Sequence, residues 1–289
     1  MKKPEKFVKY SESNIYIKNI QYCLMIIAKE IKRVCDKNNI PFFMIAGTLL
    51  GAVRHQGFIP WDDDMDFGMF RNDYNKFLKA CETDLDKEHF FVQNVYTDPN
   101  YGKFYTRILL NDTYLDYDYI SKVKSKKALF IDIFPYDSIP ESKILRKKQS
   151  VITSFAMRLI KKKLNYGVVC FTFGGKIELL LEPFFKKQTI IKMYEKEMQR
   201  YNKKLPDSSC VCCSNAGEGY PKETLKRKWL TDLKLFKFED TEFPGSVLYD
   251  EYLSYFYGDY MTPPPPEKQL THEFEKLDFG PYKLTSTEN

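Results

Sequence analysis

The sequence predicts an α/β (α+β) fold, a mixed β-sheet flanked by helices, with a helical insertion. Three observations predict it. Short apolar runs alternate with helical stretches through residues 1–140. A cluster of acids interrupts one of those apolar runs. From 141 to 205 the composition turns to Lys, Arg and large apolar residues at helical spacing, before a mixed C-terminal part at 206–289.

The elements follow in order. Ser13 to Lys37 reads as an amphipathic helix, because Ile20, Cys23, Leu24, Ile27, Ile31 and Val34 recur on one helical face. Asn38-Asn39 breaks it, and Phe42 to Ala46 is a short apolar strand. Gly47-Thr48 turns the chain into a helix reaching about His55, which Gly57 and Pro60 stop. An acidic strand runs from Asp63 to Met69. Asn72 or Asp73 is placed to cap a helix through Cys81. Strands are expected at His89–Val95, Lys103–Leu110, Thr113–Tyr117 and Ala128–Phe134. The insertion gives two helices separated by Gly167–Gly175, and Val247 to Tyr257 forms another.

Composition narrows the function classes. With 43% hydrophobic and 16% aromatic residues in 289, the chain carries ample material for a core, which excludes wholesale disorder. The basic N-terminus lacks the apolar stretch of a signal peptide, and no run approaches the roughly 18 apolar residues of a membrane span. Seven scattered cysteines favour free thiols in a reducing cytoplasm. The net charge of +6 is mild. Its basic run lies outside the acidic motif, and no nucleic-acid partner is expected.

The most informative run is Pro60-Trp61-Asp62-Asp63-Asp64-Met65-Asp66-Phe67-Gly68. Side chains alternate along an extended strand, so Asp62, Asp64 and Asp66 share one face. Two carboxylates roughly 5 Å apart repel by about 3 kcal/mol at an effective dielectric of 20. A cation relieves that cost, and oxygen ligands suit Mg²⁺ or Mn²⁺. Two further pieces fit the same site. Gly47-Thr48, at a strand-to-helix turn, brings free N–H groups to a phosphate. Asp132 stands alone in the apolar run Leu129–Phe134, where an acid is costly unless paired or bound to metal. Each piece alone also has a structural reading, as a solvated turn or a loop-bonding Asp.

In this order the three pieces resemble the nucleotidyltransferase superfamily. Residues 46–69, AGTLLGAVRHQGFIPWDDDMDFGM, are similar to the signature of the LicD family, which includes phosphocholine transferases and fukutin-type relatives. LFIDIFPYDSIP (129–140) and YLSYFYGDYMTPPPPEKQLTH (252–272) resemble the family's other blocks. The resemblance implies a nucleotidyltransferase-like mixed sheet. It implies transfer of a phospho-alcohol from a CDP-activated donor, best CDP-choline, to a hydroxyl of a lipid-linked surface glycan or teichoic acid precursor, with release of CMP. Asp62, Asp64 and Asp66 match the family's acid triplet. Asp132 matches its later acid, either a third ligand or the general base. The family's tail block often carries two adjacent histidines; here His272 is followed by Glu273.

Other residues carry two readings each. Arg54 and His55 either reach the donor phosphates or simply suit a helix C-terminus. Trp61 either stacks on the donor or buttresses the loop. Cys210, Cys212 and Cys213 lack a clear fourth zinc ligand, Cys170 being distant in sequence, and read as thiols. The basic and aromatic residues of 144–203 either lie on an anionic membrane surface, which would place the chain peripherally on the inner leaflet, or are solvated around an insertion packed on the core. Ribitol- or glycerol-phosphate donors, nucleotidyl transfer with release of diphosphate, and a non-catalytic glycan-assembly partner are the alternatives.

Overall fold

A computed structural model describes residues 7–9, 15–117, 122–166, 180–213, 220 and 223–284. The glycine-containing break at 167–175, with Cys170, lies outside the described residues. The molecule is mixed α/β: a curled mixed sheet with seven α-helices among the described residues.

The chain enters through β1 (Phe7–Lys9) and α1 (Ile15–Lys37). Ile20, Leu24, Ile27, Ile31 and Val34 are buried along one side of α1. Each contributes about 1.5–3 kcal/mol of burial. β2 (Phe43–Met44) leads into α2 (Ala46–His55), and β3 (Asp66–Phe70) into α3 (Arg71–Asp84). β4 (Phe90–Gln93), β5 (Thr106–Leu110), β6 (Tyr114–Asp116) and β7 (Phe130–Ile139) follow. The main sheet runs β2-β3-β7-β5-β4, with β3 and β7 parallel and the other neighbours antiparallel. α1 and α3 pack on β7, α1 also on β5, and α3 also on β3. Gly68 is required where the rings close over the sheet, because a Cβ there would stand 2.3 Å from Phe43 and 2.8 Å from Tyr136.

Two boundaries differ from the sequence reading. The acidic strand begins at Asp66, not Asp63, because Asp62 to Asp64 precede the ladder with β7; a turn bond from Asp62 N–H to the Ile59 carbonyl holds their start. The cap of α3 is the extended Phe70, not Asn72 or Asp73, since β3 runs straight into the helix and Asp73 falls in its first turn. β7 also continues to Ile139, where β8 (Cys210–Cys212) pairs with it and β9 (Thr224–Lys226) with β8.

The insertion holds α4 (Lys143–Lys163) and α5 (Lys187–Met198). Ala156, Leu159 and Ile160 meet Ile190, Ile191, Tyr194 and Met198 in a second core that takes in Val95, Tyr101 and Phe104. Ile144, Val151 and Phe184 remain exposed. No helix among the described residues is long and apolar enough to cross a membrane. The C-terminal part supplies α6 (Lys228–Thr231), the hairpin β10 (Leu233–Phe238) and β11 (Thr241–Ser246), and α7 (Tyr249–Tyr257). β12 (Leu270–His272) pairs with β1, and β13 (Lys276–Asp278) with β6.

Candidate active site

Register builds the centre of the site. Asp66 on β3 stands opposite Asp132 on the parallel strand β7, and Asp132 opposite Arg107 on β5. Paired residues share a sheet face, so the three strands set Asp66, Asp132 and Arg107 side by side. Arg107 donates from Nε to Asp132 Oδ1 at 2.8 Å and from Nη2 to Oδ2 at 3.5 Å. Its guanidinium lies 3.5 Å from the centre of the Phe130 ring, which removes one face from water. The lone acid of the apolar run is therefore paired with Arg107, a residue that the sequence reading did not single out.

Ahead of β3 the acids alternate as expected. Asp62, Asp64 and Asp66 are half-buried, while Asp63, Met65 and Phe67 turn into the protein. Burial pushes the Asp62 carboxyl well above the usual range, and the charges of Asp64, Asp63 and Asp66 add to it. Asp64 rises to about 6 through burial and Asp63, opposed by His272. Asp66 rises through burial, Asp64 and Asp132, opposed by Arg107 and Lys103. Asp62 and Asp64 titrate against one another, the neighbouring carboxyl raising Asp62 and lowering Asp64. Two carboxylates so placed need a shared proton or a cation.

The Gly47-Thr48 turn reaches this row from the β2 side. A Cβ on Gly47 would stand 2.9 Å from Asp62 Oδ2, so a side chain there would displace that carboxylate. Ala46, just before it, holds the left-handed conformation at φ 44°, and its N–H donates to the Tyr252 hydroxyl at 3.0 Å. Such strain persists where surrounding contacts enforce it. Thr48 Oγ1 accepts from the Asp66 N–H at 2.8 Å, locking α2 to β3. Gln21 of α1 donates to the Asp62 carbonyl at 2.9 Å and steadies the arm carrying the acids.

The remaining candidates lie further along α2. Arg54 donates from Nε to His55 Nε2 at 2.8 Å and from Nη1 to the Tyr260 carbonyl at 2.7 Å. Burial lowers His55, and Arg54 lowers it further. The half-buried Trp61 packs on the main core, its ring 6.4 Å from that of His55 in an edge arrangement. The Arg54–His55 bond and the His55–Trp61 ring contact join these three, and Tyr257 also acts on Arg54.

Two partners of the site come from the distant C-terminal part. His272 Nδ1 lies 2.8 Å from Asp63 Oδ1, and Asp63 Oδ2 is buried without a hydrogen-bond partner. Tyr257 is raised by burial first and also by Asp62, Asp66 and Asp64, which places its phenol near the row. The tail block 252–272 drew attention to both residues in the sequence, but nothing in it pointed to Asp63 as the partner of His272.

The donor set is oxygen throughout, and of its four acids Asp132 alone is paired with an arginine. That chemistry fits a hard divalent cation. Among the described residues, three ligating side chains come within 4.8 Å of one another only at the exposed Asp86, Glu88 and His89. The row itself is more open than that. Cys210, Cys212 and Cys213 form no disulfide among the described residues, and the last two are buried.

Residues 39–164 match the family model LicD/FKTN/FKRP, nucleotidyltransferase domain. The chain is 30% identical over 262 residues to the lipopolysaccharide cholinephosphotransferase LicD of Haemophilus influenzae, covering 84% of this chain and 90% of that protein. It is 35% identical over 115 residues to an uncharacterized protein of Rickettsia prowazekii, covering 40% of this chain and 39% of that one.

Proposed function

This chain belongs to the LicD family and is a phosphotransferase, and from that premise we propose that it moves phosphocholine from CDP-choline to a sugar hydroxyl of lipopolysaccharide or a similar lipid-linked surface glycan, releasing CMP. The observation that carries the proposal is the register of Asp66 against Asp132, with the Asp62–Asp64 pair beside them and the Gly47-Thr48 turn at their edge.

In this reading Asp62, Asp64 and Asp66 hold Mg²⁺ or Mn²⁺, with Asp132 completing the acid set. The cation would neutralise the donor diphosphate and the charge gathering on leaving CMP. The chain's own residues set the geometry. Gly47 admits the donor phosphate close to the backbone, and the opening of α2 offers N–H groups and a partial positive charge. Thr48 fixes that turn relative to Asp66. Arg107 occupies both oxygens of Asp132, which suits an acid that holds charge in place better than one that collects the acceptor proton.

The test is ³¹P NMR with Mg²⁺, offering CDP-choline, CDP-ribitol, CDP-glycerol and CTP in turn, with and without a bacterial lipid-glycan extract. Acceptor-dependent release of CMP from CDP-choline, absent in Asp66→Ala, is expected. CMP released from another CDP-alcohol alone reassigns the donor, and diphosphate released from CTP replaces the proposal with nucleotidyl transfer.

A further inference from the structure

We propose that the outer face of α4, together with the turn at 180–186, is a docking surface for an anionic phospholipid membrane. The assignment goes beyond the donor and acceptor named above and does not depend on them.

The face begins in the helical period. Ile144, Lys148, Val151 and Phe155 succeed one another at helical spacing, which sets them along one side of α4. That side opens to solvent at its start, where Ile144 is 81% exposed and Val151 55%. A separate row, Gln149, Thr153, Ala156 and Ile160, is the buried one, and its Ala156 and Ile160 enter the second core with α5. That core does not use Ile144 or Val151. Phe155 carries the stripe to the turn, its ring meeting that of Phe185 edge-on at 5.9 Å. Next to Phe185 in the chain stand Phe184, 82% exposed, and Leu180, 70% exposed. Single surface hydrophobics are ordinary, whereas a joined set of large ones marks an interaction surface.

Charge gives the partner its sign. In its 21 residues α4 carries six lysines and two arginines and no acid. Lys143 and Arg146 stand in its opening turn, where the helix dipole disfavours cations, so they do not serve the helix itself. The acids beside the face are engaged: Glu182 pairs with Lys163, and Glu141 accepts from the Ser209 hydroxyl at 2.6 Å. Exposed Lys147, Lys148 and Lys186 flank the apolar groups. On a bilayer, Ile144, Val151 and Phe184 would enter the acyl boundary while those ammonium groups meet headgroup phosphates. A nucleic acid would meet the lysines and leave the apolar groups in water. A second copy of the chain would set like charges against one another.

Vesicle co-sedimentation of the full chain tests the assignment, with phosphatidylcholine vesicles alone or containing phosphatidylglycerol. Wild type is expected to sediment with the mixed vesicles, less so as salt is raised, and not with phosphatidylcholine alone. Phe184→Ser and the double variant Lys147→Glu/Lys148→Glu should each bind about tenfold or more weakly, with unchanged melting temperatures. Wild type left in solution, or both variants binding as it does, overturns the proposal. Duplex DNA bound as tightly as the mixed vesicles overturns it in favour of a nucleic-acid face. A dimer in sedimentation velocity that Phe184→Ser dissolves overturns it in favour of self-association. If Phe184→Ser melts early, Ile144→Ser replaces it, and undiminished binding by that variant overturns the proposal.

Discussion

His272 Nδ1 stands 2.8 Å from Asp63 Oδ1, so a histidine of strand β12 bonds to an acid in the middle of the DDD run. Asp63 points away from its neighbours into the protein, and this bond is what steadies it there. His272→Ala leaves a buried carboxylate without that partner. A loss of about 1–3 kcal/mol in folding stability is expected, read from urea unfolding. An unchanged midpoint would mean that Asp63 finds another donor.

Arg107 does for Asp132 what His272 does for Asp63, with a guanidinium fork in place of one imidazole bond. Arg107→Met keeps the volume and removes the fork, leaving Asp132 uncompensated. Destabilisation of about 3–5 kcal/mol is expected, with activity falling at least a hundredfold. Arg107→Lys restores the charge without the fork and should recover stability more than turnover. Equal recovery of both would reduce Arg107 to charge compensation.

The acid row gives the metal-free protein a pH dependence of definite sign. Asp64 is raised to about 6 by burial and by Asp63, whereas an unfolded Asp titrates near 3.9. Between those values the folded chain keeps a proton that the unfolded chain has lost. This contribution is therefore fully present below pH 4 and is lost as pH rises through 6. Asp62 and Asp66 act in the same direction. In EDTA, the melting temperature of wild type minus that of Asp64→Asn should fall between about pH 4 and 6. With Mg²⁺ present the slope should reverse, because a cation binds the ionised form. A flat difference in both buffers would show that the row is solvated.

Gly47→Ala places a methyl 2.9 Å from Asp62 Oδ2. The carboxylate must shift, so turnover should drop about tenfold or more for an interaction worth over 1.4 kcal/mol, while the melting temperature moves little. Steady-state kinetics beside calorimetry check both halves of this statement.

The sequence shows what is local. The helical period exposed α1, and Asp132 stood out as one acid in an apolar run. The alternation of Asp62, Asp64 and Asp66 against Asp63, Met65 and Phe67 was readable even where no ladder forms. Arg107 was hidden because FYTRILL reads as an ordinary strand, and only register against β7 shows what its guanidinium meets. His272 stood in the family's tail block, but its pairing with Asp63 was hidden, the partner being 209 residues away. The β10–β11 hairpin escaped notice because exposed Leu235 and the Pro244-Gly245 pair blur its alternation. Pairing across strands depends on the whole fold, and periodicity within one strand does not report it.

The Asp63–His272 bond and the Ala46–Tyr252 bond, spanning 209 and 206 residues, have a consequence for how the enzyme comes into being. A nascent chain that has emerged as far as residue 164 already carries every acid of the site within the span matched by the family model. It lacks both distant partners. The Gly47-Thr48 turn lacks its Tyr252 contact and Asp63 its His272 contact until residues 252 and 272 have been made, so the site is completed only late in synthesis.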